Sequence, residues 1–376
     1  MNGIPLFRRT TTKEKPSRYV NRSRKNQLKY LKMSLILLFA LSLIIEKIIL
    51  ISVLFGITLG MAAYSTYGER KIAAFLQDRL GPNRAGPFGL LQPLADGVKM
   101  FTKEDFIPNA AERWLYILAP GAFMFVACMT SAVIPWGTQL TIFSTPVDLQ
   151  VADINIGILY VMGFVSLGVY GIMIGGWASN NKYSLYGAIR ASSQMISYEL
   201  AMGLAIIAVI MMTGTLSLKE IAAQQAGINW NVWYQPLGFI IFFVCALAEC
   251  NRAPFDMAEC ETELIGGYHT EYSSMKLGFY LFAEYINMFI SCAVISTVYF
   301  GGYNFPGIDP GWLGGFMGPI VLFTKIIFFI FVFMWIRWTI PRFRYDQLMH
   351  LGWKSLIPLA ILNMMLTGAG VLLFEN

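Results

Sequence analysis

The sequence has little charge and few of the residues that hold metal ions. Charged side chains make up 13% of its 376 residues, about half of the share that is usual in a soluble globular domain. There are two histidines, and the five cysteines include no C-x-x-C pair. The chain therefore offers no candidate site of its own for a haem, an iron–sulfur cluster or a structural zinc ion. Any redox chemistry near it must use a partner's cofactor.

Apolar residues take the place of the missing charges. Hydrophobic residues make up 56% of the chain and include 28 Phe and 20 Met, so lipid must cover much of its surface. A membrane-spanning helix needs about 20 mostly apolar residues, and eight windows meet this requirement: 47–67, 114–135, 154–178, 191–213, 236–253, 276–300, 315–338 and 351–373. Because a backbone in lipid must satisfy its own hydrogen bonds, the sequence predicts an all-α polytopic membrane protein with eight transmembrane helices.

Lysine and arginine are shared unevenly among the connections between these windows. Most of them lie in the first, third, fifth and seventh connections, whereas the second, fourth and sixth contain only Lys219. By the positive-inside rule, the odd-numbered connections face the cytoplasm, or the matrix in a mitochondrion. The net charge of +6 therefore indicates membrane topology rather than a surface that binds nucleic acid.

Residues 1–32 do not fit this topology, because they carry ten basic residues and a single acid, Glu14, on the side predicted to be external. The apolar run 33–45 is short for an additional span. Three interpretations stay open: a presequence, a disordered tail, or a start codon assigned too early, with Met33 as the true start. The last two are favoured. We predict a basic tail over 1–44 that is disordered or outside the membrane fold, and a membrane domain over 45–376.

The longest polar connection, 68–113, predicts a helix that lies in the membrane interface. Glu69, Arg70 and Lys71 precede the apolar run 72–76, and basic residues beside an apolar face are typical of interfacial amphipathic helices. The stretch 90–100 can form a second short helix, because glycine and proline at 86–89 interrupt the chain before it.

Three glutamates, Glu199, Glu249 and Glu284, lie inside predicted spans. An ionised residue in lipid costs from about 3 to more than 10 kcal/mol, so a functional role is the default hypothesis and a structural ion pair the alternative. At a rise of about 1.5 Å per residue, Glu199 and Glu284 lie roughly 12 Å from the basic side of their spans, and Glu249 about one turn from it. No carboxylate in the outer half continues this path. A proton that entered here would have to leave sideways, into a neighbouring subunit.

The fifth connection holds the densest group of acids: Asp256, Glu259, Glu261, Glu263 and Glu271. Carboxylates this close together cannot all be ionised at neutral pH, so we expect some of their pKa values to be raised towards the physiological range. A solvated acidic loop is the alternative interpretation. Arg252, three residues after Glu249, is spaced to pair with it on the last helical turn before Pro254.

Long motifs along residues 45–373 resemble those of subunit 1 of respiratory complex I, the NADH:quinone oxidoreductase, whose bacterial counterpart is the H-type subunit. These motifs are GERK at 68–71, QDRLGPNR at 77–84, LQPLAD at 91–96, KED at 103–105, GWASNNKYSL at 176–185, SYE at 197–199, AECNRAPFD at 248–256, YHTEY at 268–272, AEY at 283–285 and PRFRYDQL at 341–348. The stretches 177–185 and 267–276 look bacterial, which implies a bacterial inner membrane, with the mitochondrial inner membrane as the alternative. Cys250 and Ala253 depart from the family pattern.

The resemblance implies a part in quinone reduction. Members of this family build part of a quinone tunnel where the membrane arm meets the peripheral arm, and an iron–sulfur cluster of a partner reduces the quinone there. NADH, FMN and the iron–sulfur clusters would belong to partner subunits, and this chain would contact only its substrate, a quinone such as ubiquinone or menaquinone. The implied partners are quinone-site subunits of the peripheral arm, small membrane subunits, antiporter-like subunits and lipid.

The resemblance also implies roles for individual residues. An acidic path from the quinone cavity towards the antiporter-like subunits would consist of Glu199, Glu249 and Glu284. The connection beside the cavity would contribute Glu259, Glu261, Glu263 and Glu271. The residues that line or brace the tunnel would be Glu69, Arg70, Asp96, Arg252 and Asp256. No metal ligand is implied.

Three functions can be weighed on this sequence. We favour coupling, in which quinone reduction changes the charge beside the acidic loop, shifts carboxylate pKa values and moves protons. A self-contained cation or proton transporter is disfavoured, because the sequence lacks internal repeats and outer-half charges that would complete a path. A structural anchor without chemistry, as in related membrane hydrogenases, would tolerate the loss of the loop carboxylates.

Overall fold

The structure, a computed structural model, describes residues 18–142, 145–257 and 264–374. Its helices in this part of the chain are α1 (Arg18–Leu76), α2 (Gln92–Thr102), α3 (Arg113–Thr130), α4 (Gly157–Ala178), α5 (Lys182–Thr213), α6 (Leu218–Gln224), α7 (Asn231–Tyr234), α8 (Pro236–Glu249), α9 (Ser274–Tyr299), α10 (Met317–Thr339), α11 (Tyr345–His350) and α12 (Ile357–Phe374). A π-helical segment, Leu351–Leu356, joins α11 to α12. Strands β1 (Gln139–Ile142) and β2 (Thr145–Asp148) form an antiparallel hairpin.

Within the described ranges, seven helical segments are long and apolar enough to cross a membrane: Ile44–Leu76, Arg113–Val133, Gly157–Ala178, Lys182–Thr213, Ser274–Tyr299, Met317–Thr339 and Tyr345–Leu373. They correspond to seven of the eight predicted windows, and the chain is a polytopic helical membrane protein. The remaining window, 236–253, contains α8, which has 14 residues. At about 1.5 Å per residue, α8 is roughly 21 Å long, whereas the apolar core of a bilayer is about 30 Å thick.

The chain divides between Leu50 and Ile51 into two compact units, and every contact described below lies in the second. The helix α1 begins at Arg18, inside the segment for which the sequence left three interpretations open. The division at residue 44 stays a prediction.

The interfacial helix predicted just after Glu69 does not form as a separate element. Residues 68–76 are the last turns of α1, because no helix breaker stands between the span and Gly81. The chain leaves the helix at Asp78, which has a positive φ of 48°. The separate helix of this connection is α2, at the place where the sequence allowed a second one, and α2 exposes Leu94, Val98 and Phe101.

The core of the second unit forms around α5 and α9. The helix α5 packs against α4, α8 and α12, while α9 packs against α3 and α10. A close approach joins α3 to α4, because a Cβ atom on Gly171 would lie 2.7 Å from the Cβ of Phe123. The helix α5 begins at an N-cap, Asn181, whose side chain accepts a hydrogen bond from the backbone N–H of Tyr183 at 2.9 Å, as asparagine does at helix starts.

Candidate functional site

A cavity of about 240 Å³ lies between the C-terminal turns of α1, α2 and the first half of α9. Four of the five residues that the sequence assigned to the tunnel line this cavity: Glu69, Arg70, Asp96 and Arg252. Apolar side chains of α9, Leu281 and Phe282, form another part of the wall. The cavity therefore has a charged side and an apolar side.

Two ion-paired residues join α1 to α2 at the cavity. The Nη2 atom of Arg70 lies 3.0 Å from the Oδ2 atom of Asp96, and Gln92, one turn earlier on α2, donates to the Oδ1 atom of Asp96 at 3.0 Å. The Arg70 side chain is half exposed, so the pair contributes little to stability, about 1 kcal/mol or less. Its effect is to orient both side chains along the cavity wall.

Glu69 is buried, and both of its carboxylate oxygens have partners. The Oε1 atom lies 2.5 Å from the Nη1 atom of Arg337, at the end of α10. The Oε2 atom accepts a hydrogen bond from the hydroxyl of Tyr285 at 2.8 Å. The hydrogen bond from Tyr285 is charge-assisted, and such bonds are shorter and stronger than neutral ones, so the Glu69 carboxylate is held at the cavity by an ion pair on one oxygen and a hydrogen bond on the other.

Arg252 and Glu284 form a buried ion pair beside the same tyrosine. Their side chains are 7% and 1% exposed, and the Nη2 and Oε2 atoms lie 3.1 Å apart. The guanidinium of Arg252 lies over the ring of Tyr285, 4.3 Å from its centroid. The hydroxyl of Tyr268 donates to the Oε1 atom of Glu284 at 3.0 Å. Side-chain contacts therefore run without interruption from Glu69 through Tyr285 and Arg252 to Glu284, and we call this series the contact chain.

The predicted local pair between Glu249 and Arg252 is wrong. The helix α8 ends at Glu249, and Asn251, with a φ of 49°, turns the backbone before Arg252. Arg252 therefore leaves the helical register on which the prediction depended and meets Glu284 on α9 instead.

Glu249, the last residue of α8, and Glu199, a partly buried residue of α5, lie apart from the contact chain. Glu249 is 4% exposed, and in the part of the chain that the structure describes, its Oε2 atom has no hydrogen-bond partner. Glu199 is close enough for the charges of the two carboxylates to interact. Glu199 itself accepts a hydrogen bond from the hydroxyl of Ser166 on α4. These two acids form a second group of carboxyl side chains beside the contact chain.

Asp256 does not line the cavity. It is 1% exposed, and its Oδ2 atom lies 3.1 Å from the Nη2 atom of Arg342, in the connection between α10 and α11. In the same place the backbone N–H of Phe343 donates to the carbonyl of Pro254 at 3.2 Å. Asp256 thus braces the start of the fifth connection against the seventh.

Glu271 lies at the other end of the fifth connection. Its Oε1 atom accepts a hydrogen bond from the side-chain amide of Asn181 at 2.5 Å, and its carbonyl accepts one from the hydroxyl of Tyr116 at 2.6 Å. The ring of Tyr116 stacks on Tyr272 with centroids 4.2 Å apart. Burial raises the pKa of Tyr272 to about 12, so this phenol is neutral at physiological pH. The other acids predicted for this connection, Glu259, Glu261 and Glu263, lie outside the described residues.

Sequence reasoning did not assign Tyr285, Tyr268 or Arg337, although all three contact an assigned glutamate. Two signals for them were present. The motif AEY places Tyr285 directly after Glu284, and Arg337 is one of two charges in the predicted span 315–338. Their partners lie far away in the sequence, so spacing alone does not reveal the contacts. In the described ranges, no three His, Cys, Asp or Glu residues form a group that could hold a metal ion.

Comparison with known proteins extends over nearly the whole second unit. A family model described as NADH dehydrogenase matches residues 48–368. The chain belongs to this family. Among its relatives, the H-type subunit of NADH-quinone oxidoreductase from Flavobacterium johnsoniae is 64% identical over 337 residues, which cover 88% of this chain and 96% of that protein. An H-type subunit from Cytophaga hutchinsonii is 65% identical over 336 residues, 88% and 98% of the two chains. Another, from Geobacter metallireducens, is 50% identical over 319 residues, 85% and 94% of the two chains.

The resemblance that the motifs indicated is thereby confirmed. These NADH dehydrogenase family members are bacterial, and this chain has seven apolar segments able to span a membrane within its described residues. It is a multi-pass protein of a bacterial inner membrane, as the residues of its motifs implied. The alternative location was the mitochondrial inner membrane.

Proposed function

We propose that this chain is the membrane subunit of a proton-translocating NADH:quinone oxidoreductase that forms part of the quinone chamber and of the acidic path out of it. The observation that carries the proposal is the contact chain, because it starts at the cavity wall and ends at a buried glutamate inside the bundle. The names of the similar relatives support the same enzyme. NADH, FMN and the iron–sulfur clusters would be held by partner subunits.

The cavity suits the chemistry of a quinone headgroup. Reduction adds two electrons and two protons, so negative charge appears on the quinone oxygens until protons reach them. Arg70 and Lys99 line the cavity and would stabilise that charge, as preorganised cations do at sites of developing charge. Leu281 and Phe282 would contact the apolar part of the quinone.

A charge change in the cavity would act first on Glu69 and then along the contact chain. Charges about 4 Å apart near a protein surface interact by about 4 kcal/mol, which is enough to change which carboxylate holds a proton. Arg252 is the shared element, since it lies over Tyr285 and pairs with Glu284. Glu249 and Glu199 would receive the proton next, and Glu271 would act beside the cavity together with Glu259, Glu261 and Glu263.

The predicted orientation of the spans in the membrane supports a lateral exit for the proton. We take α8, with α7 before it, as the eighth span, which places the odd-numbered connections and the cavity on the cytoplasmic side. The predicted acids then lie in the cytoplasmic half, and a proton would continue into an antiporter-like partner. Asp256 and Arg342 would hold the wall between the cavity and this path.

Replacing Glu284 by glutamine tests the proposal. Glutamine cannot carry the charge or the proton, and Arg252 loses its negatively charged partner on α9. We expect the whole complex to assemble but its inhibitor-sensitive NADH:quinone activity to fall at least tenfold, which corresponds to about 1.4 kcal/mol in the barrier. Reduction of a water-soluble acceptor by NADH, which bypasses the quinone, should not change.

The matched control is Glu220→Gln, because Glu220 is exposed on α6 and lies outside the contact chain. It should leave both activities at the level of the unmodified complex. Normal quinone turnover and proton pumping in Glu284→Gln would contradict the proposal.

A further inference from the structure

Lys325 lies on α10, inside a membrane span. It is a charged residue that takes no part in the proposed proton path. Its ammonium donates to the backbone carbonyls of Phe300 at 2.6 Å, Gly302 at 2.8 Å and Asn304 at 2.6 Å. Three acceptors require three N–H donors, and a neutral amine has only two. Lys325 is therefore held as a cation.

Two further features lie around the ammonium group of Lys325. The three carbonyls belong to the turn that directly follows α9, where the negative end of the helix dipole lies. The ring centroids of Trp230 and Phe305 lie 5.2 Å and 5.9 Å from the ammonium nitrogen, within the range of a cation–π interaction. In the described ranges, no carboxylate lies within ion-pair distance of Lys325.

A layer of aromatic rings lies between Lys325 and Glu249. The rings come from α8, the end of α9 and α10, and they are Phe239, Phe242, Phe243, Tyr299, Phe300, Phe329 and Phe333. Phe239 is ten residues before Glu249 on α8, which is about 15 Å along the helix. Its ring contacts Tyr299 and Phe300 with centroids 5.6 Å and 5.3 Å away. We call these seven side chains the aromatic layer.

The opposite side of Lys325 borders an opening. A pocket of about 510 Å³, which we call the outer vestibule, is lined by Ala226, Gly227, Asn304, Phe305, Asp309 and others. Two of these residues, Asn304 and Phe305, contact Lys325.

We propose that Lys325 and the aromatic layer form an insulating barrier that prevents protons on Glu249 and Glu199 from reaching the outer side through this chain. The inference rests on the proposed function, which requires the proton to leave laterally. A fixed cation repels an approaching proton strongly in a medium of low dielectric constant, and six of the seven rings in the aromatic layer, all except Tyr299, carry no polar group that could bind a proton. Channels that must exclude protons use the same combination of a positive charge and a constriction.

The experiment measures passive proton leak of the whole complex in proteoliposomes, under an imposed membrane potential and without NADH. Lys325→Gln keeps two N–H donors for the carbonyls but removes the charge, whereas Lys325→Arg keeps the charge. We expect the leak to rise at least fivefold in Lys325→Gln and to stay near the unmodified level in Lys325→Arg. NADH:quinone activity in detergent should be unchanged in both variants.

A structural helix cap would predict a different result, because glutamine and arginine both donate to carbonyls and the leak would not separate them. Equal leak in the two variants therefore overturns the inference. A tight membrane with lost quinone turnover in Lys325→Gln also overturns it, because Lys325 would then carry protons itself.

If the complex with Lys325→Gln does not assemble, Phe239→Ala tests the barrier instead. This variant opens the aromatic layer and leaves the contacts of Lys325 in place. Its control is Phe328→Ala, on the exposed face of α10. We expect an increased leak only in Phe239→Ala, and equal leak in both variants would overturn the barrier. Since this assay needs no NADH, a failure of the proposed function, seen as normal turnover in Glu284→Gln, remains distinguishable from a failure of the barrier.

Discussion

At the residue scale, the pair of Arg252 and Glu284 is the feature that most needs a physical explanation. Taking two charges out of water costs several kcal/mol for each ion, and their attraction repays this only with good geometry and further hydrogen bonds. Tyr268 supplies such a bond to Glu284, and the ring of Tyr285 faces the guanidinium of Arg252. A buried ion pair of this kind contributes little to stability. We therefore interpret the pair of Arg252 and Glu284 as a means of transmitting a charge change from the cavity.

Tyr285→Phe tests this interpretation, because it removes one hydroxyl and keeps the ring over Arg252. The lost hydrogen bond goes to the Glu69 carboxylate, and a bond to a charged group contributes about 1.5–3 kcal/mol. We expect kcat/KM for the quinone to fall about tenfold to a hundredfold while the amount of assembled complex stays the same. Steady-state quinone reduction over a range of quinone concentrations measures this.

Tyr186→Phe is the control, since Tyr186 is 57% exposed on α5. It should show unchanged kinetics. An unchanged kcat/KM in Tyr285→Phe would mean that the hydroxyl is not part of the functional path.

At the scale of elements, the sequence predicted the spans well because a single physical requirement, the length of an apolar run, decides them. The exception is α8, whose window was expected to continue to residue 253. Its helix ends at Glu249 because Asn251 adopts a left-handed conformation, which no apolar count reveals. The interfacial helix was placed one element too early for a related reason, since α1 continues until Asp78 turns the chain.

The sequence predicted which residues belong to the candidate site, but it did not predict which of them contact one another. Motifs identified Glu69, Arg252 and Glu284, yet Glu69 meets Arg337 from α10, and Arg252 meets Glu284 from α9. Such pairs join residues far apart in the chain, and only the packing of the helices decides them. Spacing predicted the wrong partner for Arg252 because it considers one helix at a time.

The contact between α3 and α4 gives a prediction for the elements themselves. In Gly171→Ala the new Cβ would lie 2.7 Å from the Cβ and 3.1 Å from the Cα of Phe123, and overpacking of this kind costs about 1–3 kcal/mol. We expect less assembled complex and faster thermal loss of quinone reductase activity.

Gly163→Ala on the same helix is the control, because no atom lies within 4 Å of the added Cβ. Its assembly and thermal inactivation should match those of the unmodified complex. Equal behaviour of the two variants would show that α3 and α4 do not approach each other this closely.

At the scale of the whole molecule, the acids of the proposed path and the proposed barrier lie in different parts of the spans. Glu199, Glu249 and Glu284 all lie in the half of their spans nearer the basic connections, and the aromatic layer and Lys325 lie farther from that side on α8, α9 and α10. Under the proposed function, this order would let a chain with few charges guide a proton, because the acids of the path lie close to one another and most rings of the aromatic layer are apolar. The relatives are matched over at least 94% of their own length, so we expect the same order in them.

The most direct measurement is the infrared difference spectrum of the intact complex between its oxidised and quinone-reduced states, in the region of protonated carboxyl groups. If quinone reduction changes the protonation of the acids at the end of the contact chain, the unmodified complex and Glu220→Gln will show the same carboxyl signal. Glu284→Gln will lack part of that signal. Identical spectra for all three complexes would contradict coupling through Glu284.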